Sequence, residues 1–207
     1  MSDVLVDLGR IMYAPNDTLL RIRNNPRPYV ATSVAILVLA SVFAVGSGDF
    51  EETDNYITGF GYLLTPEQIA ITSVSGFIAS IISIVMIYFI GGKLGRKSDF
   101  NKVFCMMSYS ATPILIGGLI TTGYFFMFAF LLEHESQTGT AEAIASMQVN
   151  GFLGYMGLYL PFIIWTIILT IKAIKRANEV STLRAIGIII IASIISMLAT
   201  IPFGWIL

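Results

Sequence analysis

Five apolar stretches, at residues 29–45, 69–90, 103–132, 152–171 and 186–207, divide the chain, and every Lys and Arg falls in alternate gaps between them. Arg10, Arg21, Arg23 and Arg27 precede the first stretch. Lys93, Arg96, Lys97 and Lys102 occupy the second connection, and Lys172, Lys175, Arg176 and Arg184 the fourth. The first and third connections and the C-terminus hold neither Lys nor Arg; their acids are Asp49, Glu51, Glu52, Asp54, Glu67, Glu133, Glu135 and Glu142. Cations choosing sides at random would give this pattern roughly once in two thousand chains, whereas positive-inside insertion gives it a cause. The pattern predicts an all-α, polytopic helical membrane protein with five transmembrane helices, its N-terminus cytoplasmic and its C-terminus outside.

Composition agrees. Hydrophobic residues make up 56% of the 207 residues and charged residues 12%, about half the charged share of soluble domains. Mean hydropathy is +0.80. Each stretch approaches or exceeds the ~20 residues that cross ~30 Å of hydrocarbon. Residues 1–28 form a cytoplasmic leader, and residues 29–207 one membrane domain with short connections and no separate catalytic unit. Ala44-Val45-Gly46-Ser47 offers small residues for signal cleavage, but Asp3, Asp7 and Asp17 make the preceding segment unlike a short basic n-region, so an uncleaved span is expected. The segregated charge suits membrane lipids with anionic headgroups, or an acidic protein partner, at the inner face. Nothing points to nucleic acid.

Within the leader, Val4, Leu8, Ile11 and Met12 recur at helical spacing, with Asp3, Asp7 and Arg10 elsewhere on the wheel. Asn16 or Asp17 can cap a second short helix carrying Leu19, Leu20 and Ile22. Both read as interfacial amphipathic helices with apolar faces toward the inner leaflet, and the sequence leaves open whether they rest on lipid or fold against the bundle. Asn24-Asn25-Pro26-Arg27-Pro28 then turns the chain into the bilayer.

The second span carries a small-residue stripe, Ser73, Gly76, Ser80 and Ser83, on one helical face. Ser193, Ser196 and Thr200 repeat the pattern in the fifth. Such faces admit close helix packing, within the chain or in a homo- or hetero-oligomer. The third stretch spans about 45 Å as a straight helix, too long for an upright crossing. Pro113 predicts a kink near Thr112, with Tyr109, Ser110 and Thr112 nearby and Gly117-Gly118 beyond. In the third connection, Thr140 to Met147 can form a small separate helix.

No Asp, Glu, Lys, Arg or His lies well inside a stretch, and a charge there costs at least ~2.5 kcal/mol on insertion scales. Proton-coupled transport, which uses such groups, is disfavoured; conduction through carbonyls and hydroxyls is not. His134 sits in an outer connection between two glutamates, too little for a metal site or a base. No Ser–His, Ser–Lys or paired-Asp set lies within the membrane, so a hydrolase is disfavoured. Cys105 stands alone, which excludes an intramolecular disulfide; it is expected to be buried, with palmitoylation the alternative. Gly91-Gly92-Lys93-Leu94-Gly95 lacks Walker spacing and reads as the end of the second helix. No cofactor or metal and no enzymatic activity is expected.

Gly91-Gly92, Phe100, Val103-Phe104 and the run Tyr109-Ser110-Ala111-Thr112-Pro113 resemble the hallmark of the Yip family, the Ypt/Rab-interacting membrane proteins. Trp165, Lys172-Ala173 and Ser181 to Ala185 with Arg184 also resemble it, as do Ala14-Pro15 and Asn25-Pro26. The resemblance covers almost the whole chain and implies the five-span layout, with Gly91, Gly92, Tyr109, Pro113, Trp165 and Arg184 as motif residues. It implies a place in membrane traffic, where eukaryotic members bind prenylated small GTPases and shape or sort membranes. This chain lacks their Asp-Leu-Tyr-Gly-Pro-like motif and long N-terminal region and looks more like the prokaryotic branch, in a cell membrane. A small GTPase is therefore a partner only by family analogy. The function expected is a non-enzymatic membrane organiser or scaffold that binds partners or anionic lipid through Arg96, Lys97, Lys175 and Arg176. A small permease or channel built on the broken third span is the alternative.

Overall fold

The computed structural model describes residues 2–45, 66–96, 98–136 and 141–206. Among these residues there is no strand; the chain runs through α1 (Ser2–Arg10), α2 (Pro15–Asn24), a 3-10 turn (Arg27–Tyr29), α3 (Val30–Val45), α4 (Pro66–Leu94), α5 (Phe100–Ser110), α6 (Thr112–Ser136), α7 (Ala141–Asn178) and α8 (Thr182–Ile206). Four segments are long and apolar enough to cross a membrane by length and composition: Ser73–Leu94, Phe100–Tyr124, Met156–Asn178 and Thr182–Ala199. Arg27–Val42 is a shorter apolar helix. The 16 residues of α3 reach about 24 Å at ~1.5 Å per residue, just short of the ~30 Å hydrocarbon core.

The segment Phe100–Tyr124 is the centre of the bundle. Its apolar window is 72% buried, against 17%, 28% and 22% for the other three. The reason lies in the break. Helix α5 ends at Ser110, the Ala111 amide closes its last turn on the carbonyls of Ser108 and Tyr109, and α6 restarts at Thr112. Pro113 therefore stands at the second position of a new helix, where its missing N–H costs nothing. The kink expected near Thr112 is a full helix boundary, and it leaves α5 surrounded by α2, α3, α4 and α7.

Small residues set the closest helix contacts. A Cβ on Gly117 of α6 would lie 2.7 Å from Phe162 of α7. A Cβ on Gly76 of α4 would meet Ser41 of α3 at an ordinary 3.6 Å. Ser80 turns its hydroxyl back to the Gly76 carbonyl at 2.9 Å, and Ser196 of α8 donates to the Ala79 carbonyl at 2.8 Å. Ser73 and Ser83 lie half-buried on the same helix. Within the stripe, Gly76 thus lies against Ser41 of α3, while Ser80 bonds its own helix.

The residues read as a small helix in the third connection are, from Ala141 onward, the start of α7, which runs unbroken to Asn178. Asn150-Gly151 costs only about 1 kcal/mol in a helix interior, too little to end one anchored by a long apolar span. The leader helices, whose seat on lipid or against the bundle the sequence leaves open, turn part of their apolar residues into the bundle. Val4, Ile11, Leu19 and Ile22 are buried, while Leu5, Val6, Tyr13 and Leu20 are exposed. Residues 46–65 and 137–140 of the outer connections, among them Tyr56, Phe60, Tyr62 and Thr140, lie outside the described residues.

Gly117→Ala should lower the unfolding temperature in detergent, since overpacking a close helix contact costs about 1–3 kcal/mol. Gly123→Ala, on the same helix with nothing within 4 Å of its Cβ position, should leave it unchanged or raise it. Equal shifts for both would remove the close α6–α7 approach as the cause.

Candidate functional site

The basic residues of the leader and of the second and fourth connections meet at one end of the bundle, at the junction where α7 stops. Helix α7 ends at Asn178, Glu179 takes the left-handed conformation at φ 54°, and the Val180 amide bonds the Lys175 carbonyl at 3.3 Å. This is a Schellman-type cap, whose left-handed position glycine fills most cheaply. Among the described residues Glu179 is the one non-glycine residue with positive φ. The conformation costs about 1–2 kcal/mol.

The end of α4 lies directly against this cap. The Arg96 amide donates to the Asn178 carbonyl at 2.8 Å. A Cβ on Gly95 would collide with that carbonyl, and one on Gly91 would stand 2.6 Å from the Asn178 side chain. Gly91 is thus a spacing residue. Asn178 is fully buried; its Nδ2 donates to the Ile174 carbonyl at 3.4 Å and its Oδ1 has no partner. Gly92, the other glycine of the pair, lies half-buried in the last turns of α4.

Charge closes the junction. The Glu179 carboxylate pairs with Arg23 of α2 and, at 3.5 Å, with Arg96. Arg184 donates to the Leu94 carbonyl at 3.3 Å, satisfying an end of α4, where the helix dipole favours a cation. Its own amide is capped by the Ser181 hydroxyl at 3.4 Å. Lys175 reaches Thr182 Oγ1 at 3.3 Å, and Arg176 donates to the Asn16 carbonyl of α2. Of the four residues expected to form the inner interaction face, Arg96, Lys175 and Arg176 come to this end; Lys97 lies outside the described residues. Between Arg23, Arg96, Ser98, Asp99, Lys102 and Glu179 opens a cleft of about 210 Å³.

A second polar group lies deeper, at the broken span. Tyr109 is fully buried; its hydroxyl donates to the Val4 carbonyl at 3.2 Å, and its ring meets Tyr29 edge-on at 5.5 Å. Tyr29 donates to Asp7 Oδ2 at 2.7 Å, and Arg21 stands 3.4 Å from Asp7 Oδ1. Ser108 and Ser110 bond the Phe104 and Met107 carbonyls, and Ser110 also meets Thr170 of α7 at 3.1 Å. Tyr109, Ser108 and Ser110 thus bond within the chain at the break, while the buried hydroxyls of Ser33, Thr112 and Thr166 have no partner. Pro113 is buried beside Thr112. Trp165 packs against the core with Lys172 above its ring at 5.8 Å, and its Nε1 is buried without a partner. Cys105 is buried, with its thiol 3.6 Å from the Pro26 carbonyl. Among the described residues no three His, Cys, Asp or Glu side chains gather as a metal site.

Sequence reasoning missed Asp7, Asn178 and Glu179. Asp7 had a signal: at helical spacing it falls beside Val4 and Ile11, within the apolar stripe rather than opposite it. It is fully buried. Glu179 had none, because a left-handed glutamate looks like any loop acid.

The family model described as the Yip1 domain matches residues 9–203. No curated protein and no solved structure matches the chain.

Asp7→Ala leaves the buried Tyr29 hydroxyl without its acceptor, at a cost of about 1–3 kcal/mol. Amide exchange in α1 should then quicken by about tenfold or more while α8 is unchanged; equal protection in both proteins would remove Asp7 as the anchor of the leader. Glu179→Gly relieves the left-handed backbone and loses two surface ion pairs, effects of similar size, about 1 kcal/mol each. Its unfolding temperature should stay close to the parent's while protease cutting near Arg23 increases.

Proposed function

As the chain belongs to the Yip1 domain family of integral membrane proteins, we propose that it acts as a non-enzymatic membrane organiser whose basic inner end binds acidic surfaces, either anionic lipid or an acidic protein. Its apolar helices lie in contact with lipid. The observation that carries the proposal is convergence: cations from α2, from the α4–α5 connection and from the end of α7 share one face. Positive-inside insertion puts that face in the cytoplasm, and juxtamembrane cations attract anionic leaflets. Arg96 and Lys175 are exposed at this end and Arg176 is half-buried. A small GTPase is one such acidic candidate by family analogy alone. The short connections favour a prokaryotic cell membrane. The internal hydrogen bonding of Tyr109, Ser108 and Ser110 supports an organiser over a permease, because a substrate site needs polar groups free to bind.

Photo-crosslinking from positions 96 and 109 in native membranes, with adducts identified by mass, tests this reading. Adducts to acidic protein or lipid should concentrate at position 96 and disappear when Arg96, Lys97, Lys175 and Arg176 are changed to Glu. Solute adducts at position 109, with none at 96, would favour transport instead.

A further inference from the structure

The cleft at the inner end has a composition that a general basic surface does not require. Its walls bring together Arg23 from α2, Arg96 and Ser98 from the α4–α5 connection, and Lys102 from the first turn of α5. Against these three cations stand two carboxylates, Asp99 and Glu179. Asp99 is engaged in capping α5, accepting the Asn101 amide at 3.2 Å. Glu179 faces both guanidinium groups. Lys102 is half-buried and makes no ion pair among the described residues, and the Ser98 hydroxyl is likewise uncommitted. The acid that neutralises the arginines is carried on a strained left-handed residue at a surface where ion pairs are weak. A bound anion bearing several acceptor oxygens would take both guanidinium groups and the ammonium together, as phosphates do.

Apolar side chains next to the cleft in sequence indicate the source of such an anion. Leu94 is 45% exposed and Phe100 37% exposed, at the inner end of α4 and the start of α5. Tyr88 of α4 meets Phe100 edge-on at 5.5 Å, and Phe100 stacks on Phe104 of its own helix at 6.0 Å. A ligand with a phosphate in the cleft and a hydrocarbon body along these residues fits both halves of the site.

The geometry points to a phosphate-monoester site, filled by the headgroup of an inner-leaflet lipid that displaces Glu179 from Arg23 and Arg96. It rests on the reading of this end as an inner binding face and adds the ligand class and the residues that select it. The volume of about 210 Å³ accommodates a headgroup phosphate. Glu179 is then a competitor held in place of the ligand, so its removal should tighten binding.

The full chain in phosphatidylcholine nanodiscs doped with phosphatidic acid, a monoester, or with phosphatidylglycerol, a diester, provides the test. Native mass spectrometry counts retained lipid. Phosphatidic acid should be retained over phosphatidylglycerol. Lys102→Gln should reduce that retention about fivefold or more, and Glu179→Gln should raise it, while Lys93→Gln, at an exposed basic residue outside the cleft, changes it less than about twofold. Lys102 makes no ion pair among the described residues, so its variant should fold as the parent does. Equal losses in Lys102→Gln and Lys93→Gln would overturn the cleft and leave the general basic face standing. Absence of any acidic-lipid preference in the parent protein would overturn the lipid site and leave an acidic protein as the partner of the basic face. Full competition by millimolar inorganic phosphate would overturn the lipid source, with the Lys102→Gln loss still marking phosphate chemistry; retention unaffected by it supports the headgroup.

Discussion

Where α4 leaves the bundle it approaches the end of α7 so closely that the Asn178 carbonyl accepts the Arg96 amide at 2.8 Å, and Gly95 has no room for a side chain. That bond fixes the direction in which the chain turns toward α5, and with it the positions of Arg96, Ser98 and Asp99. The same carbonyl belongs to the residue before the left-handed turn, so the α7 cap and the α4 exit share a structural element. Arg184 then ties the start of α8 to the last turn of α4. Three helix ends, each with carbonyls or amides that would otherwise lack partners, satisfy one another at one level of the membrane. The basic face is a consequence of that junction, since the cations are carried on the segments it brings together.

Four of the five expected spans were legible in the sequence, because membrane insertion depends on summed hydrophobicity over many residues, which local composition records directly; the first forms a shorter apolar helix. The break was legible for a similar reason: a proline acts on its own turn, and Pro113 did so at the expected place. The junction was not legible. Gly91 and Gly92 were visible as a motif, yet their purpose depends on Asn178, 87 positions further along the chain than Gly91. Arg96, Lys175 and Arg176 were grouped by charge and lie at this end, whereas Arg23 and Lys102, which complete the cleft, were seen only as topology signals. Glu179 was invisible because its importance lies in a backbone angle that no residue type other than glycine announces.

The leader shows how a correct period can lead to an incomplete placement. Its apolar spacing predicted amphipathic helices, and both helices form. Burial of Asp7 changes what their faces touch. A carboxylate turned to the leaflet would have to be solvated by headgroups; turned inward, it meets a tyrosine hydroxyl and a guanidinium in fixed positions. The apolar residues beside it follow, so Val4 and Ile11 join the core. The exposed Leu5, Val6, Tyr13 and Leu20 lie on the remaining surfaces of these helices. An inward polar contact and an outward apolar rim can coexist because a helix has more than one face.

The broken third span bears on function through the same accounting of polar groups. Ending α5 inside a membrane bundle exposes carbonyls and hydroxyls that hydrocarbon cannot solvate. In transporters such groups stay available because a substrate or ion satisfies them in turn. Here the Ala111 amide, the Ser108 and Ser110 hydroxyls, Thr170 and the leader's own Val4 carbonyl supply nearly all of the partners. Any ligand entering at Tyr109 would have to displace the leader, which Asp7, Tyr29 and Arg21 hold at the other side of the same node. The inner cleft has the opposite balance. Its Lys102 and Ser98 are uncommitted, and its arginines are held by a single displaceable acid. Charged groups held by a displaceable acid thus lie together at the inner end, whereas the unpartnered polar groups among the apolar helices, such as Thr112 Oγ1 and Trp165 Nε1, carry no charge.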